Sequence, residues 1–470
     1  MTRRSTAFAS LLSIVLTSLP VLAQESQVAA DLRREREHVA DSCGTFAPKA
    51  IAGCAYTLTT ESPLHIALGS LAPTNGFAFG LAFDEHYTPN EAWRISWSAD
   101  AVAAPSGAWR SGAYMRLVHT PATAGVVVRQ PGTPAPRRPV TPRAFAVLDL
   151  FAQTISLKTI NYFGQGPDTV ESGRAVFGER ETVLGVSAVY PLDRVSSLAA
   201  LHPALLGGVT GRFVSIRAAP SGQAPSIEQR YDDVSAPGLA AQDGFVELRE
   251  GVRLEPSVAN GRLRFNYLLS AQQFRTSAAT RASFNRWTLD LRHDIPLYHA
   301  VSSTGPRAFN GPNACAQSSS SAACPPVQWS RNRQGTIALR LYASASTTSG
   351  DNRVPFYLQP TLGGSDINGD RVLASYQNYR FRGPNVVMLQ EGLEHSIWGP
   401  FGAYVLAEQG KATESLGSGG LATSTTVGVT LRAGGFPLVN LSFSWGGEGH
   451  HIIGAMDTSL LGGSPRPSLY

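Results

Sequence analysis

Asp366, Asn368 and Asp370 alternate through "SDINGDRVLASYQ", the spacing at which a calcium loop presents its first three oxygen ligands. Such a loop needs Gly at position six and Glu at position twelve, where this chain has Arg371 and Gln377. Asp, Asn and Gly together read better as a turn. His450 and His451 are adjacent and no third ligand stands at metal spacing, so they read as a strand-end pair. The four cysteines form two close pairs, Cys43 with Cys54 and Cys315 with Cys324. In an exported chain such pairs point to two local disulfides, although three connectivities are open. Metal binding is the weaker reading, because no Cys-x-x-Cys or spaced His accompanies them. No G-x-S-x-G, H-E-x-x-H or phosphate loop occurs, and no spacing selects a Ser/His or Asp/His pair. The expectation is therefore a protein that is not an enzyme, with no catalytic residue, cofactor or metal.

The elements around these residues must be of one kind. The N-terminus "MTRRSTAFASLLSIVLTSLPVLAQ" carries Arg3 and Arg4, an apolar run from Ala7 to Leu22, and Val21 and Ala23 at −3 and −1 of a cleavage site. Residues 1–23 read as a secretory signal peptide. A membrane anchor is the alternative, but Pro20 interrupts the run and it is short for a span. No later segment offers about 18 consecutive apolar residues. The net charge of +5 is scattered over 470 residues without a basic stripe, so nucleic-acid binding is not supported. Residues 24–60 form a short leader in which "VAADLRREREHVAD" suits one helix.

From Leu64 onward the hydrophobic period is two. Val439, Leu441, Phe443 and Trp445 oppose Asn440, Ser442 and Ser444. Val427, Val429 and Leu431 oppose Thr426, Gly428, Thr430 and Arg432. Trp287, Leu289 and Leu291 oppose Thr288, Asp290, Arg292 and Asp294. A soluble sandwich or propeller also alternates. Here few strands are apolar on both faces, and the polar face mixes Arg, acids, Tyr and Gly instead of Lys and Glu. An apolar outside with aromatic ends around a polar inside is the pattern of a transmembrane β-barrel, which a bilayer requires to close.

Candidate strands lie near 64–70, 76–86, 91–103, 108–118, 144–156, 174–190, 205–217, 244–255, 261–273, 283–294, 334–346, 353–361, 385–395, 400–409, 424–433 and 437–446, with a last one after Glu448. An even count is the rule for single-chain bacterial barrels, which predicts sixteen and leaves 64–70 or 353–361 as the one to drop. The stretches 119–143, 218–243 and 296–333 read as loops. The fold class predicted is all-β, a transmembrane antiparallel β-barrel over 61–470.

"PFYLQPTLGGSDINGDRVLASYQNYRFRG" followed by "NVVMLQEGLEHSIWGPFGAYVLAEQGKA" resembles the C-terminal half of the bacterial surface antigen family, the BamA/TamA-type outer-membrane assembly barrels. "NYFGQGPDT" and "AGGFPL" also resemble segments of that family, and the likeness covers about 64–470. The resemblance implies that a long loop after Gly363-Gly364 folds into the lumen and carries a tetrad at Leu373, Ala374, Ser375 and Tyr376. In the family the second and third tetrad positions are Arg and Gly. That Arg is expected to meet acids of the inner wall, whose positions here are Glu394 and Glu408. Arg380 or Arg382 is expected to replace the missing guanidinium; hydrated carboxylates in a wide lumen are the alternative. The family's periplasmic POTRA domains are expected to be lacking, because only about 40 residues separate the cleavage site from the first strand.

The function implied is mechanical: insertion or translocation of outer-membrane or surface polypeptides from a place in the bacterial outer membrane. The partners would be outer-membrane lipid and client chains. A weak seam between first and last strands would admit a client strand by β-augmentation. A passive diffusion channel or a structural outer-membrane protein is the alternative.

Overall fold

The computed structural model describes residues 64–456, apart from 121–144, 193–200, 259–262, 277–281, 305–328 and a few loop positions (91, 220, 221, 223, 367, 369, 370, 399, 400, 434 and 435). The expected signal peptide, the expected leader helix and all four cysteines lie outside the described residues.

Nineteen strands follow in chain order among the described residues: β1 (Leu64–Ser70), β2 (Phe77–Asn90), β3 (Trp93–Ala103), β4 (Trp109–His119), β5 (Ala146–Tyr162), β6 (Ala175–Pro191), β7 (Ala204–Ala218), β8 (Gly244–Leu254), β9 (Ser257–Val258), β10 (Leu263–Arg275), β11 (Phe284–Thr304), β12 (Trp329–Thr348), β13 (Thr361–Leu362), β14 (Phe381–Arg382), β15 (Asn385–Trp398), β16 (Phe401–Thr413), β17 (Ala422–Ala433), β18 (Phe436–Gly446) and β19 (Gly449–Met456). β9, β13 and β14 are two-residue pieces, which leaves sixteen long strands, the number expected. β1 pairs with β2. From β2 to β8 each strand pairs antiparallel with the next. β8 then pairs with β10, and the series continues through β11, β12, β15, β16, β17 and β18 to β19. Among the described residues no register joins β19 back to the start of the series, so the sheet remains open there.

The pleat sorts side chains as the alternation predicts. Phe79, Leu81, Phe213, Leu269, Trp287, Val405 and Leu441 are exposed on one face, while Arg212, Glu247, Asp290, Thr426, Ser442 and Ser444 are buried on the other. Large apolar side chains turned outward over so many strands form the lipid-facing belt of a transmembrane barrel. The polar face is held by cross-strand pairs. Arg212 of β7 bridges Glu181 of β6 and Glu247 of β8, the latter at 2.9 Å. Asp290 of β11 takes Arg340 of β12 at 3.0 Å, and Asp100 of β3 takes Arg110 of β4 at 2.9 Å.

Two expectations are corrected. Residues 353–361 are not a wall strand: Phe356–Leu358 is a buried 3₁₀ turn. Pro355 and Pro360, which have no N–H to give to a ladder, bracket it. The loop expected over 296–333 is shorter, because the sheet passes Pro296 with a register shift between Pro296 and Tyr298 and runs on to Thr304, to be met by β12 from Trp329. The stretch 218–243 is a loop, but an ordered one, with a 3₁₀ turn at Ile227–Gln229.

Candidate functional site

The segment between β12 and β15 (349–384) lies inside the curled sheet. Its Leu358 carbonyl accepts from Arg286 of β11, its Asn378 carbonyl accepts from Asn161 of β5 at 3.3 Å, and its Ala374 N–H donates to Glu408 of β16 at 3.0 Å. One short segment reaches β5, β11 and β16 only if the sheet wraps around it. At the mouth, Phe356 packs its ring against Tyr162, Phe177 and Tyr357 at centroid distances of 5.1–5.5 Å. The Phe356 N–H donates to the Pro237 carbonyl of the β7–β8 loop at 2.8 Å, so loops and lumenal segment share one apolar core.

Gly363 and Gly364 have φ of +104° and +63°, and a Cβ at either would come within 2.5 Å of Arg380 or Asn378. Only glycine allows this fold-back. Their N–H groups donate to the carbonyls of Val372 and Leu373, both at 3.1 Å, which clamps the start of the loop to the tetrad. Leu373 and Tyr379 take positive φ without being glycine (+55° and +63°), and both are fully buried, so surrounding packing holds them there. Between these, Asp366 Oδ1 accepts the Asn368 N–H at 2.9 Å, the Asx turn read from "DING".

The tetrad sits on β16, β17 and the end of β18. Ala374 donates to Glu408 Oε2, and Ser375 N–H donates to Ser424 Oγ at 3.1 Å. Glu408 Oε1 accepts from Gln390 of β15 at 2.8 Å. The carboxylate at this position is thus satisfied by a backbone N–H and an amide. Glu394 faces Tyr404 in the β15–β16 register, four residues along the wall from Gln390.

The arginines differ from expectation in their partners. Both are buried, so neither points to solvent. Arg380 pairs with Glu448 in the β18–β19 turn, Nη2 to Oε1 at 2.7 Å, instead of with Glu394 or Glu408. It also donates to Thr169 of the β5–β6 loop and lies over the rings of Phe163 and Phe381 at 5.0 and 4.7 Å. Arg382 donates to the Phe356 carbonyl at 2.6 Å among the rings of Tyr162, Phe177 and Phe356. Burial draws the Arg371 guanidinium below its ordinary pKa, with Tyr404 acting the other way, and burial raises the Tyr357 phenol. Sequence reasoning missed Glu448, Thr169, Ser424 and the Arg212 cluster. The run Gly446-Gly447-Glu448-Gly449 was the available signal, since glycines mark close backbone approach.

No group of acids, His and Cys able to hold a metal occurs among the described residues. A cavity of about 300 Å³ opens beside Arg380 and Glu448.

No protein-family model and no curated protein matches the chain. Among solved structures it is similar to CdiB from Escherichia coli (13% identity, TM-score 0.47, 85% of this chain and 61% of that one). It is also similar to CdiB from Acinetobacter baumannii (9%, 0.44, 82% and 55%). A third similar structure is BamA from Haemophilus ducreyi lacking POTRA domains 1-3 (10%, 0.44, 84% and 68%). The chain thus spans less than two thirds of the length of either CdiB.

Proposed function

We propose that this chain is an outer-membrane barrel that assists the insertion or translocation of other polypeptides, acting mechanically and not chemically. The observation that carries this reading is the lumenal loop, seated by the tetrad on β16–β18 and tied to the β5–β6 loop across the barrel. A braced lumen with an open sheet edge suits a wall that must part and reclose; the backbone groups of β19 not used by β18 would template an incoming strand. Depleting the protein should reduce correct insertion of other outer-membrane barrels or display of surface proteins. Normal insertion and display on depletion would remove the proposal.

Passage of small solutes is the second reading. It is favoured by the exposed inner-face groups Asn266, Arg292 and Asp294, which line a wet region away from the loop. A large, stable single-channel conductance would select it.

A further inference from the structure

Three successive residues, the last of β18 and the two of the β18–β19 turn, receive three side chains of the lumenal loop. A Cβ on Gly446 would overlap Ser375 Oγ, and one on Gly447 would stand 2.5 Å from the Tyr376 hydroxyl. The next residue, Glu448, takes Arg380 in a forked contact, Nε reaching the two carboxylate oxygens at 2.8 and 2.9 Å. The other side of the same guanidinium grips the β5–β6 loop, Nη1 to Thr169 Oγ1 at 2.7 Å and Nη2 to the Thr169 carbonyl at 2.5 Å. The loop around Arg380 is itself fixed to that side: Gly166 N–H donates to the Arg382 carbonyl at 2.8 Å, and Gln377 donates to Glu171.

We infer that Arg380 is the bolt of an internal strap that holds the last hairpin, β18–β19, to the β5–β6 loop, and that the hairpin is released when Arg380 parts from Glu448. β18 is attached to the wall by its ladder to β17, which slips register between Leu431 and Arg432, and β19 is attached by its ladder to β18. The strap is the hairpin's further hold at its turn. It is also built to open. The Arg380 side chain is 2% exposed but that of Glu448 is 22% exposed, so the acid is the partner that can turn to water. The adjoining cavity, lined also by Tyr376, Lys411 and Leu421, gives it room. Arg380 would keep its bonds to Thr169, so separation leaves the loop in the lumen and frees only the hairpin. This device goes beyond the proposed function and operates without any client.

Hydrogen–deuterium exchange on the full-length protein in detergent, with no client present, tests it. In Glu448→Ala and Arg380→Ala, amides of 436–456 should exchange roughly tenfold or more faster than in the wild type, while those of 263–348 stay unchanged. Heat-modifiable gel migration confirms that each variant is folded, and if Arg380→Ala does not fold, Glu448→Ala decides alone. Unchanged exchange over 436–456 in Glu448→Ala, or an equal rise over 263–348, would overturn the strap. Because no client enters, failure here is separate from failure of the depletion experiment.

Discussion

Glu408 Oε2 accepts the backbone N–H of Ala374 at 3.0 Å, so a wall carboxylate of β16 holds the tetrad by its main chain. The contact shows how the acid is satisfied with Ala in the second tetrad position: it has found a backbone donor and the Gln390 amide. Glu408→Ala should leave the Ala374 N–H buried without its acceptor and destabilise the barrel by about 1–3 kcal/mol, with Glu408→Gln retaining part of that through its carbonyl oxygen. Urea unfolding followed by heat-modifiable migration measures both; equal stability of Glu408→Ala and wild type would show that the acid carries no such bond.

Ser375 Oγ is fully buried and finds no hydrogen-bond partner among the described residues. Ser375→Ala removes that unsatisfied hydroxyl and should leave stability unchanged or raise it by up to about 1 kcal/mol. Gly446→Ala, in contrast, drives a methyl onto Ser375 and should destabilise. A loss in Ser375→Ala would reveal a bond made by the hydroxyl.

Arg212 is buried between Glu181 and Glu247, and Gln272 donates to Glu247 at 2.7 Å. Arg212→Ala should cost about 3–5 kcal/mol, since it abandons two buried acids. Arg212→Met combined with Glu181→Leu and Glu247→Leu should recover most of it, because a packed apolar triad needs no counter-charge. Denaturation midpoints of the single and triple variants decide.

Gly363→Ala would put a methyl 2.5 Å from the Arg380 Cβ at a φ of +104°. The loop should lose its fold-back, seen as protease cleavage within 363–382 that the wild type resists. Wild-type resistance in the variant would contradict the assigned geometry.

Strand positions were legible because burial on one face imposes a period of two on every wall strand. The exceptions are physical. The 353–361 segment resembles a strand in its apolar Val354, Phe356 and Leu358, but it is buried on every side from Val354 to Thr361 because it packs inside the barrel. The extension past Pro296 was hidden because the ladder absorbs that proline at a bulge. The loop's entry into the lumen came from the family resemblance and not from a local pattern, and neither source names Arg380's partner. Glu448 lies far along the chain from Arg380, and their meeting depends on how the whole sheet curls, which no local pattern states. Parity sets Glu394 and Glu408 on the polar face of their strands, but it does not say which donor arrives there.

The most direct measurement is the single-channel conductance of the intact protein in a planar bilayer. With 349–384 seated in the lumen and an apolar core across the mouth, the account predicts no large, stable open state. A large, steady conductance from the intact chain would contradict it.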